Sequence, residues 1–141
     1  MKSLTKVFAG LVAAALLAGC QTDSRDQVLA VSQSSVALRS MQTRAFDTTD
    51  KLKTMRTVIA TLQDLGFIVD KADDILGTVS GTKLDGYMLK ITVTVRERGE
   101  TQMVIRANAQ YNITPVEDPG PYQQFFAALE KAMFLTAHQI D

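Results

Sequence analysis

The chain has 141 residues, 46% of them apolar, with 15 basic and 15 acidic side chains. That composition suits one small domain with a packed core, and the balanced charge leaves no electrostatic footprint for nucleic acid. One cysteine and one histidine exclude an internal disulfide framework and supply too few soft ligands for a transition-metal site.

Lys2 and Lys6 flank the start of an apolar run from Val7 to Ala18. A bilayer span needs roughly 20 apolar residues, so this run fits the hydrophobic region of a signal peptide better than a membrane helix. Ala18 and Gly19 are small, as a signal peptidase requires beside its cut, and Cys20 follows at once. Leu17-Ala18-Gly19-Cys20 resembles the lipobox of bacterial lipoproteins. The resemblance implies cleavage between Gly19 and Cys20. It also implies a diacylglyceryl thioether and an N-acyl chain on Cys20, with no other cofactor. Each buried methylene adds about 0.8 kcal/mol of membrane affinity, so two or three acyl chains anchor stably where one does not. An ordinary secretory signal followed by a free thiol, or an uncleaved membrane helix, is the alternative. Gln21 stands where aspartate favours inner-membrane retention in enterobacterial lipoproteins. The expected location is therefore the periplasmic face of the outer membrane. Loss of residues 1–19 removes two lysines and leaves 13 basic against 15 acidic residues.

Residues 20–35 read as a tether, rich in Ser, Gln and charge and poor in large apolar side chains. Fully extended, it reaches at most about 50 Å, and as a coil about 20 Å. The globular part then spans 36–141. Within it, Val36 to Ala45 alternates in a way that fits an edge strand, with Arg39 and Arg44 discouraging edge-to-edge pairing.

Asp47-Thr48-Thr49-Asp50 offers capping oxygens to a helix expected from about Thr48 to Leu65. Leu52, Met55, Val58, Ile59, Leu62 and Leu65 fall at helical spacing. Gly66 stands at the left-handed cap position, with Phe67 placed to fold back on Leu62. Strands are expected over Phe67–Lys71, Gly77–Lys83 and Tyr87–Arg98, with Asp73-Asp74 and Asp85-Gly86 as turns. In the third of these strands, Tyr87, Leu89, Ile91, Val93 and Val95 share one side. The fourth strand carries Met103, Ile105, Ala107, Ala109 and Tyr111 inward, with Val104 the exception on its outward side. A last helix starts near Pro121. Its stripe is Tyr122, Phe126, Leu129, Met133, Ala137 and Ile140, flanked by Phe125 and Phe134.

The expected fold is α+β, a two-layer sandwich. An antiparallel meander sheet of four or five strands carries two helices packed on its apolar face. The element order over Asp47–Asp141, with the phrase Leu65-Gly66-Phe67-Ile68-Val69, is similar in outline to the helix-grip domains of BamC-type envelope lipoproteins. The similarity bears on fold, not on role.

No catalytic constellation stands out. His138 is expected in the last turn of the final helix, where a cation suits the helix end. No Gly-x-Ser-x-Gly or phosphate-binding glycine loop is present. Asp73-Asp74 and Glu117-Asp118 read as solvated turns. The outward residues Lys90, Thr92, Thr94, Arg96, Arg106, Asn108 and Gln110 form either a solvated sheet face or a docking face for an envelope protein or anionic glycan. Phe125 and Phe134 either fill the core or anchor a partner.

The functional expectation is a non-enzymatic, lipid-anchored interaction module of an envelope complex. Its partners are the membrane and an envelope protein. The alternative is a tethered carrier of a lipid or other small ligand, with Ala107, Ala109 and Tyr111 lining a cavity of some 300 Å³ or more.

Overall fold

The computed structural model describes residues 34–84, 86–134 and 137–139. Cys20, the cleavage point after Gly19, and the tether as far as residue 33 lie outside them. The folded unit is Ser35–Asp141.

Its first element is helical, residues 34–42 (α1), followed by β1 at Thr43–Phe46. The expected edge strand over Val36–Ala45 is thereby corrected. Only its last residues are extended, and Ser34 and Ser35 of the expected tether are helical. Ala37, Leu38, Arg39 and Met41 are all good helix formers, which outweighs a short alternation. Ser40 Oγ donates to the Ala37 carbonyl at 2.7 Å, and Leu38 packs against the core.

Helix α2 runs Lys51–Asp64. Asp50 is its N-cap, accepting from the Lys53 N–H at 2.9 Å. At the other end the Gly66 N–H reaches the Gln63 carbonyl and the Phe67 N–H the Leu62 carbonyl, both at 2.9 Å. This is the Schellman closure that Gly66 and Phe67 imply. The buried face is Thr54, Met55, Val58, Thr61 and Leu62, while Leu52 is exposed. Thr54 tolerates burial because its hydroxyl donates to the Asp50 carbonyl at 2.8 Å. Thr61 Oγ1 is buried with no partner among the described residues. Thr61→Val keeps the shape and removes the orphan, so it should stabilise the domain by about 1 kcal/mol. Urea unfolding would read this as a raised midpoint with an unchanged slope.

Four strands then meander: β2 Ile68–Asp73, β3 Thr78–Leu84, β4 Met88–Arg98 and β5 Gln102–Tyr111. A two-residue β6, Thr114–Pro115, pairs with β5. Helix α3 follows at Pro119–Met133 and β7 at His138–Gln139. The strand order is β2-β3-β4-β5-β1-β7, and every pairing is antiparallel. The α+β sandwich is as expected, and three further strands, β1, β6 and β7, extend the four-stranded meander to a seven-stranded sheet. β1 lies inside the sheet, with β5 on one side and β7 on the other.

His138 is the second correction. Helix α3 stops where Phe134 turns left-handed (φ 55°), capped by the Glu130 and Lys131 carbonyls. The chain then returns to pair His138 with Ala45 of β1. Backbone pairing on the free edge of β1, plus a contact with Asp47, outweighs one more helical turn.

The core lies between the helices and the inward sheet face. Val79, Ile91, Val93, Val95, Met103, Ile105, Ala107 and Ala109 meet Met55, Val58, Leu62, Phe125, Phe126 and Leu129. Tyr122 is buried among them with every hydroxyl capacity used. It donates to the Val116 carbonyl at 2.8 Å and accepts from Gln42 Nε2 at 3.2 Å and the Ala109 N–H at 3.3 Å. Among the described residues, no helix is long and apolar enough to cross a membrane.

Candidate interaction face

Strand alternation puts the inward apolar residues under the helices, and their neighbours on the opposite, outer face. The register aligns Lys90 with Gln110, Thr92 with Asn108, and Thr94 with Arg106 across β4 and β5. Six of the seven residues singled out in the sequence thus form three adjacent cross-strand pairs. Arg96 continues the same side of β4 opposite Val104. Thr43 of β1 lies beside Arg106 and accepts from its Nε at 3.3 Å.

Lys90, Arg96, Arg106, Asn108 and Gln110 are exposed, while Thr92 and Thr94 are half-buried between longer neighbours. The outward positions of β3, β4 and β5 include Lys90, Arg96, Arg98 and Arg106 but no carboxylate. Acids stand only at the borders. Asp70 accepts from Thr82 Oγ1 at 2.7 Å, and Asp47 accepts from Gln102 Nε2 at 2.7 Å. In a chain with equal numbers of basic and acidic side chains, this is a one-signed field. A groove of about 220 Å³ opens in the same face, floored by Thr92, Asn108 and Gln110 and walled by Gln42 and Pro115. Gln42 reaches it because β1 and β6 flank different stretches of β5 and leave a gap between them.

On the helix side, a cleft of about 160 Å³ lies between the end of α2 and the start of α3. Ala109 and Tyr111 line it, but Ala107, also expected there, does not; Phe67, Lys83, Tyr87 and Phe125 complete the walls. Tyr87 and Tyr111 meet edge to face with ring centres 4.6 Å apart. Burial and the Tyr87 hydroxyl hold the Tyr111 phenol above its ordinary value. Lys83 Nζ donates to the Leu65 carbonyl at 3.1 Å and closes off the end of α2. Ligand pockets usually enclose roughly 300 Å³ or more, and this cleft is about half that.

Phe125 is buried in the core, edge to face with Phe126, whereas Phe134 is almost wholly exposed. His138 Nε2 lies 2.9 Å from Asp47 Oδ2, and both side chains are about half exposed. No group of three potential metal ligands gathers among the described residues.

The Gln102 and His138 contacts hold the Asp47 carboxyl below its usual value. A depressed carboxylate contributes stability above its unfolded-state pKa and loses it as pH falls through the folded-state value. Thermal melts of the native chain and Asp47→Asn should therefore differ at pH 7, begin to approach each other near the ordinary carboxylate value of about 3.9, and converge only as pH falls further. A gap that persists in acid would show that the contact is not linked to the proton.

Ile68, Leu84 and Ile113 join Met88, which the alternation already places outward, in a set of exposed apolar residues that the sequence pattern did not group. A signal was present for two of them. Leu84 is in phase with Ser80 and Thr82, and Met88 with Lys90 and Thr92, on the side otherwise reserved for polar groups. Compared with known proteins, the chain matches no family model and no curated sequence.

Proposed function

We propose that this chain is a lipid-anchored, non-enzymatic interaction module of the bacterial envelope. Acyl chains on Cys20 hold it on the periplasmic face of the outer membrane. Its outer sheet face docks an envelope protein whose contacting surface is acidic. The observation that carries this reading is the open face of β3, β4 and β5, where Lys90, Arg96, Arg98 and Arg106 stand without an interspersed acid. A purely solvated face ordinarily mixes both signs. The carrier alternative gains little from a cleft of about 160 Å³.

The test places a photocrosslinking residue at Thr92 or Asn108 in the full-length protein in living cells. One adduct common to both positions is expected. Lys90→Glu and Arg106→Glu should each weaken the reconstituted complex by about tenfold, or ~1.4 kcal/mol. Adducts arising only from the helix side, indifferent to both charge reversals, would contradict the reading.

A further inference from the structure

We propose that the tip formed by the β3–β4 hairpin and the β5–β6 turn inserts into the bilayer to which the chain is tethered. The inference rests on the lipid-anchor reading above. Five large apolar side chains are exposed at this end, against Ile75 and Leu76 in the β2–β3 turn at the other end of β3. Ile113 is 90% exposed, Leu84 76%, Ile68 71%, Tyr87 53% and Met88 41%. Pairing holds them together. Leu84 is opposite Met88, and the Asn112 N–H donates to the Met88 carbonyl at 2.8 Å, which sets Ile113 beside it. Ile68 is paired with Thr82, two residues behind Leu84.

The chemistry of the tip is graded along the strands. Tyr87 stands in the turn beyond the closing Leu84–Met88 pair, and Leu84, Met88 and Ile113 share the leading end with it. Tyr87 brings a ring and a hydroxyl, the combination that settles at a bilayer interface. The polar outer face begins behind them with the exposed Lys90 of β4, which stays above the lipid and free to dock.

The tether decides the occupant. Thirteen residues separate Cys20 from Ser34, and even fully extended that stretch reaches at most about 50 Å. A domain of this size has a radius of gyration of about 13 Å, so any of its ends can reach the surface. The bilayer is thus always within range, at a high effective concentration. A weak insertion, useless to a freely diffusing domain, becomes the resting state. It would also hold the cationic sheet face at a fixed height and angle above the lipid.

The test uses the full-length acylated protein in bilayer nanodiscs of phosphatidylethanolamine and phosphatidylglycerol. Cys20 is the chain's only cysteine, so with its sulfur acylated an introduced thiol is labelled uniquely. An environment-sensitive fluorophore is placed on Leu84→Cys, Met88→Cys or Ile113→Cys. The control is Leu76→Cys, which is exposed but lies in the β2–β3 turn, at the opposite end of β3 from Leu84. Insertion predicts blue-shifted emission and at least twofold stronger quenching by spin-labelled lipid at positions 84, 88 and 113, but not at 76. Circular dichroism confirms folding of each variant, and the three tip positions stand in for one another. Equal quenching at both ends overturns the proposal. So does a blue shift that needs an added envelope protein, which would assign the tip to that partner. A mature chain without acyl mass removes the anchor reading and this inference together. An acylated chain with its tip in water removes the inference alone.

Discussion

Gly77→Ala should cost the domain about 3 kcal/mol or more and shift its urea midpoint accordingly. Gly77 ends the β2–β3 turn with φ +66°. Its carbonyl accepts from the Val95 N–H at 2.7 Å, pressing the turn against the middle of β4. A Cβ added there would overlap the Val95 carbonyl oxygen and meet Lys51 Cε at 3.1 Å. The lysine stem can move aside, but the β4 backbone cannot without disturbing Val93 and Val95 in the core. The left-handed conformation alone costs about 1–2 kcal/mol for alanine, and the backbone overlap adds the rest. Gly86 provides the internal comparison. It has φ +75° but nothing within 4 Å of an added Cβ, so Gly86→Ala should show the conformational cost alone. Equal losses at the two positions would mean that the close approach to β4 is not a constraint.

Phe126→Ala is the second large effect, about 3–5 kcal/mol. The ring is buried on α3, its centre 5.1 Å from that of Phe125, with the Arg44 guanidinium 5.1 Å above it. Truncation opens a cavity against β1. It also strips Arg44 of its aromatic partner, although the guanidinium keeps its hydrogen bonds to the Ser40 and Thr43 carbonyls. Phe134→Ala, at the left-handed cap of the same helix, should leave stability nearly unchanged because that ring is in water. Denaturation of the two variants side by side separates a buried ring from an exposed one. Similar losses would place Phe134 in a contact that its exposure does not provide.

Local signals in the sequence were legible wherever a few neighbouring residues decide the outcome. Asp50 caps α2, and Leu62, Gly66 and Phe67 close it. The alternation along β4 and β5 separates core from outer face, so the candidate face could be named before its register was known. Partners far along the chain were not legible. Thr43 pairs with Arg106, and His138 meets Asp47, 91 residues away. No local pattern around residues 36–45 announces that β1 will find a slot beside β5. The helical spacing of Leu129, Met133, Ala137 and Ile140 outlasts the helix itself. It hid the left-handed cap at Phe134 and the return of His138 to the sheet. Thr54 and Thr61 read as polar in the pattern, yet both are buried. For Thr54 the reason is that its hydroxyl is satisfied within its own helix. The tip was overlooked because Leu84 and Met88 interrupt a polar face, and single exposed apolar residues are ordinary until pairing gathers them.

The outer face and the tip gain a shared purpose only if the domain is held at a membrane. Intact mass analysis of the mature protein isolated from envelopes tests this most directly. The expected product begins at Cys20 and carries the mass of a diacylglyceryl group and an amide-linked acyl chain on that residue. A product with a free Cys20 thiol, or one still bearing residues 1–19, would contradict the account.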